Sequence, residues 1–191
     1  MRGVKMMSGN VGNDSGWRRN RWRIVGWCTA VILLLLPLIA MQFTDEVDWN
    51  VADFIVFGAM LLVAGGAFEM ATRLSSNQAY RAASGVALAA AFILIWVNLA
   101  VGIIGNEENP ANLMCFGVLA IAFVGVVIAR FQPNGMARAM VATAIAQALV
   151  AVIALFTGLG YTFVITGGFV AMWLTSAWLF RKSRLEATSQ T

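Results

Sequence analysis

Six apolar runs of about 20 residues each constrain this chain more than any other feature. They cover roughly 24–43, 51–72, 82–104, 113–131, 139–156 and 161–180, with short polar turns between them. A 20-residue helix rises about 30 Å, the thickness of a bilayer's hydrocarbon core. The runs lack the apolar–polar alternation of a barrel strand and are too long for one. Of 191 residues, 60% are hydrophobic and 12% charged. A soluble domain of this size has too much surface for its volume to hide so much apolar area. The expected fold is therefore all-α: a polytopic membrane protein whose six transmembrane helices form antiparallel hairpins.

Charge orients the expected bundle. Arg2, Lys5, Arg18, Arg19, Arg21 and Arg23 precede the first run; Arg73 and Arg81 flank the second turn; Arg130 and Arg138 flank the fourth; Arg181, Lys182 and Arg184 follow the sixth run. These are all thirteen basic residues. The alternate turns carry only acidic residues: Asp45, Glu46 and Asp48, with Asp53 just beyond, then Glu107 and Glu108. Positive charge stays on the cytoplasmic side of a membrane, so both termini are expected there, in an inner membrane. The aromatics agree: Trp22, Trp27, Tyr80 and Trp178 fall near the inner interface, Trp49 and Tyr161 near the outer one. The expected organisation is a disordered basic cytoplasmic tail (1–20), a six-helix transmembrane domain (21–184) and a cytoplasmic tail (185–191). The net charge of +4 then faces anionic headgroups, with no nucleic acid implied.

Histidine is absent. That removes a Ser–His dyad, the His ligands of an intramembrane metalloprotease and the commonest haem ligand. Cys28 and Cys115 stand singly inside apolar runs and read as buried small hydrophobes. No Walker loop or dinucleotide fingerprint is present. No enzyme activity, cofactor or metal is expected.

The remaining polar residues have structural and functional readings. In "GNEENPAN" (105–112), Gly105 is placed to end the third helix in a left-handed cap. Asn109 is placed to cap the fourth, with Pro110 in its first turn. Asn50 does the same for the second helix. The functional reading gathers Asp48, Asp53, Glu107, Glu108 and Asn109 into an outer turn that attracts cations. Within the apolar runs, Glu69, Asn98 and Gln147 form a candidate polar site. Their structural readings are an ion pair from Glu69 to Arg73 at i+4 and interhelical hydrogen bonds for the two amides, Thr143 sharing the face of Gln147. Small residues four apart (Gly85/Ala89, Gly125/Ala129, Gly167/Ala171) mark candidate contact faces. The fifth run, Ala-rich and broken by Thr143 and Gln147, is the least obvious span.

Two longer patterns complete the reading. "DWNVADFIVFG" (48–58) echoes "EENPANLMCFG" (107–117), as a duplicated hairpin would. Residues 97–155, with "NLAVGIIG", an acidic-Asn-Pro-Ala-Asn turn and then "ARF" and "GMARA", resemble an uncharacterised family of small multi-spanning bacterial inner-membrane proteins. The resemblance implies location and topology and transfers no catalytic or binding residue. The expected role is a non-enzymatic accessory subunit or self-associating protein whose partners are the lipid bilayer, itself or another membrane protein. The rival is a small channel or carrier for a cation or small solute. A lipid-active enzyme is a remote third class.

Overall fold

The computed structural model describes residues 13–44, 47–104, 109–156 and 162–189, without the side chains of 13–23 and 162. All regular structure among them is helical: α1 (Asn13–Ala40), α2 (Val51–Leu74), α3 (Gln78–Ala100), α4 (Leu113–Ala129, preceded by a 3-10 turn at Pro110–Asn112), α5 (Pro133–Phe156) and α6 (Thr162–Thr188). Five helices, α2 to α6, are long and apolar enough to cross a membrane. The apolar part of α1, Ile24–Ala40, is shorter. Large apolar side chains point outward along the chain, among them Ile32, Val63, Phe123 and Ile128. Such surfaces belong in contact with lipid.

The chain divides into two compact units, residues 1–61 and 62–191. In the first, α1 starts at Asn13, inside the stretch expected to be disordered. The backbone there contains no proline, and the helix that the following apolar run requires extends back through the basic residues. Asn50 caps α2 as anticipated: its Oδ1 accepts from the N–H groups of Ala52 (2.7 Å) and Asp53 (3.3 Å). The Asp53 carboxylate in turn accepts from the Asn50 N–H at 2.8 Å, a reciprocal box that satisfies orphan donors of the first turn. Trp49 packs edge-on against Phe54 and Phe57. Gly58 faces a Leu34 methyl across the two helices.

The second unit is built on the α5–α6 hairpin. The two helices pack along their length, α4 flanks α5, α3 flanks α6, and α3 and α4 meet only slightly. The run that looked least like a span is the central one. Met136, Met140, Thr143, Gln147, Val150 and Ala154 form a buried stripe at three- and four-residue spacing down α5. Its alanines let neighbouring backbones approach closely, which is how helices attract one another in lipid.

Gly125 of α4 illustrates this. A Cβ there would lie 2.7 Å from the Ala139 Cβ of α5, and one at Gly135 would lie 2.7 Å from the Ala129 Cβ. Of the three small-residue pairs, Gly125/Ala129 is thus a contact face. Gly167/Ala171 is corrected: Ala171 is exposed and Gly167 has no neighbour within 4 Å. Gly85/Ala89 is half a contact: a Cβ at Gly85 would lie 3.3 Å from the Phe68 ring of α2, and Ala89 is exposed. A small residue permits close approach but does not bring a partner.

The turn from α4 to α5 closes through two left-handed residues, Arg130 (φ 47°) and Phe131 (φ 60°). The Phe131 carbonyl accepts a hydrogen bond from the Tyr80 hydroxyl (2.9 Å). Tyr80 is 2% exposed, and its ring packs edge-on against Phe180. Ser176 Oγ donates to the Ala83 carbonyl (2.8 Å), and Asn77, the N-cap of α3, donates to the Glu186 carboxylate (2.9 Å). These contacts seat α3 antiparallel on α6. They also explain why α6 runs on to Thr188, through residues expected to belong to a tail: Glu186 and the buried Ser183 still face partners.

Candidate functional site

The third helix ends earlier than its apolar run. Val101 is its C-cap, and Gly102 (φ 69°) takes the left-handed conformation expected of Gly105. Gly105, Glu107 and Glu108 lie outside the described residues. The reason for the early end is Asn112. Its Oδ1 accepts from the N–H groups of Ile103 (2.9 Å) and Ile104 (2.8 Å). Two isoleucines that read as helix instead form a buried bend in the connection. Their backbone donors are satisfied by a side chain in place of a helix carbonyl, as buried donors must be. Asn109 Oδ1 accepts from Ala111 N–H (3.0 Å), so it caps the 3-10 turn before α4, with Pro110 behind it. Asn50 and Asn109, equivalent in the internal echo, thus make the same bond to the residue two positions on.

Asn98 belongs to this turn. It is 6% exposed, and its Nδ2 donates to the Asn112 carbonyl (3.3 Å). Its Oδ1 has no hydrogen-bond partner. The expected interhelical bond is therefore half made, and its partner is backbone.

Glu69 lies elsewhere. It is paired with Arg73 (Nη2 to Oε1, 2.5 Å) in the last turns of α2, a helix joined through 75–77 to the start of α3. Asn98 is near the other end of α3, some 30 Å of helix axis away. Gln147 sits midway along α5. The three polar residues of the candidate intramembrane site are therefore at three depths on three helices and do not converge.

Gln147 is also unlike the other two. It is wholly buried, and neither end of its amide has a partner. Thr143, on the same face one turn away, returns its hydroxyl to the Ala139 carbonyl (2.9 Å). Ser84 does likewise to Tyr80 (3.0 Å). A short hydroxyl can satisfy itself on its own helix; a glutamine amide, held further out, cannot. Trp173 of α6, a residue that sequence reasoning did not single out, shares this condition: it is 1% exposed and its indole N–H has no acceptor. Only its position in the middle of an apolar run could have flagged it.

Of the cation-attracting turn, Asp48 is exposed and Asp53 is engaged at the N-terminus of α2, both in the first unit. Asn109 is in the second unit. Among the described residues no three carboxylate, thiol or imidazole groups stand together. No family model, curated protein or solved structure matches this chain.

Proposed function

We propose that this chain is a non-enzymatic, six-span protein of the bacterial inner membrane, with both termini cytoplasmic, acting as an accessory or self-associating subunit. The observation that carries the reading is the separation of Glu69, Asn98 and Gln147. A carrier gathers its intramembrane polar groups around one water-accessible site. Here Glu69 is paired with Arg73 and Asn98 stitches a turn. On α2, Val51, Leu62 and Val63 are 62–75% exposed. They offer a face to lipid or to another membrane protein.

In this reading α1 is the sixth span. The placement of every basic residue on alternate turns requires an even number of crossings. Its apolar part, 17 residues long, lies at the short end of the ~17–25 residues that cross a bilayer, and local thinning accommodates the difference.

Purification in mild detergent or native nanodiscs tests the proposal. A companion protein or a stable homo-oligomer supports it; a monomer with no companion rejects it. The rival, a small-solute channel or carrier, is favoured by one observation, the unpartnered amide of Gln147. Flux of common cations or small solutes through purified protein in liposomes, abolished in Glu69→Gln or Asn98→Ala, would replace the first reading with the second.

A further inference from the structure

We infer that Gln147 and Trp173 bind water between α5 and α6, in the middle of the bundle. The inference stands apart from either reading of function. It begins from orphaned groups. Gln147 is 0% and Trp173 1% exposed, and the amide Oε1, the amide Nε2 and the indole Nε1 all lack a hydrogen-bond partner among the described residues. An amide in an apolar interior with nothing to bond is a standing cost to the fold. The hydroxyls of Thr143, Ser176 and Ser183, buried in the same helices, are each bonded to a backbone carbonyl.

Register brings the orphans together. Gln147 is nine residues before the last residue of α5, and Trp173 eleven after the first residue of α6. In an antiparallel hairpin these positions differ in depth by only ~3 Å. Side chains on a helix lean toward its N-terminus. In α5 that carries the amide away from the connecting turn, and in α6 it carries the indole toward it, so the two lean toward one another.

The donors and acceptors select the guest. Together the groups offer an amide acceptor, two amide donors and one indole donor. A water can accept from the indole and from the amide N–H while donating to the amide oxygen, which meets the two to four polar partners that buried waters take. Near-complete burial shuts the site to a lipid headgroup or a larger solute. An ion is disfavoured, because among the described residues no charged side chain lies in the buried core.

The test is nuclear magnetic resonance of the full-length, ¹⁵N-labelled protein in nanodiscs, with the Trp173 indole N–H assigned through its own backbone. A water-to-indole cross-relaxation peak is expected for Trp173, and Gln147→Leu should abolish it and lower the thermal midpoint by several degrees. An assigned Trp173 indole in folded wild-type protein with no water peak overturns the proposal, whether or not the variant folds. So does a Gln147→Leu protein that melts higher than wild type with its indole shift unchanged, since an isolated amide is improved by replacement with hydrocarbon.

Discussion

Cys115 makes a reporter for the turn that Asn112 holds. It lies three residues into α4, is 1% exposed, and the other thiol, Cys28, is exposed and replaceable by Ser. Asn112→Ala withdraws one acceptor from two buried backbone N–H groups, those of Ile103 and Ile104. Each such loss costs about 1–3 kcal/mol, and local relaxation recovers part of it, leaving roughly 2–4 kcal/mol for the pair. A buried thiol reacts only when its surroundings open, so its rate follows the opening equilibrium. At about 1.4 kcal/mol per tenfold, Asn112→Ala should speed labelling of Cys115 by a small membrane-permeant thiol reagent some 30- to 700-fold. The control is Leu113→Ala, one position on and 69% exposed. Its effect should stay within about ±0.5 kcal/mol, or roughly twofold. If Asn112→Ala labels no faster than this control, the side chain is not what holds the connection in place, and the account of why α3 stops at Ala100 fails.

Gly125→Ala sets a Cβ against Ala139 at 2.7 Å and should destabilise the α4–α5 contact by ~1–3 kcal/mol in a denaturant titration in micelles; Gly66→Ala, with nothing within 4 Å, should be neutral or stabilising by up to ~1 kcal/mol. Asn50→Ala removes the side-chain acceptor of the α2 cap and should cost ~0.5–2 kcal/mol in the same titration; no change would mean that the end of α2 is held by other groups. A single cysteine at Glu107→Cys, in a chain lacking Cys28 and Cys115, should react with an impermeant maleimide from outside intact spheroplasts and be protected in sealed inverted vesicles. The opposite pattern would reverse the proposed orientation.

Much of the helical architecture is written in one-dimensional pattern, because length and apolarity decide whether a segment can cross lipid. The Asn50 cap of α2 was legible because it is a local contact between residues two apart; Asn109 makes the same local bond, but on the 3-10 turn and not on α4 itself as expected. What could not be read depends on partners distant in the chain. Ile103 and Ile104 look helical until the Asn112 amide, eight or nine residues away, claims their donors. That Phe131 and Phe180 close over Tyr80 is likewise set by partners far along the chain. The candidate site fared similarly. Glu69 and Arg73, four residues apart, met as the spacing implied. Whether Asn98, Gln147 and Glu69 share a cavity depends on which helices adjoin and at what depth, and no periodicity encodes that. Trp173 went unmarked because an indole in an apolar run looks like bulk until its N–H is found with nothing to bond.

The pairing of α3 with α6 has a consequence for biogenesis. Ser176 and Ala83 are 93 residues apart in the chain. At synthesis rates of ~5–20 residues per second, α3 waits roughly 5–20 s for its partner to be made. During that interval the small-residue face of α3 has only lipid or the insertion machinery to lie against. A polypeptide cut short ahead of α6 would leave both α3 and α5 without their principal neighbour, however well each had entered the bilayer. Completion of the last helix, more than membrane entry, is then the step that gives α3 and α5 their partner.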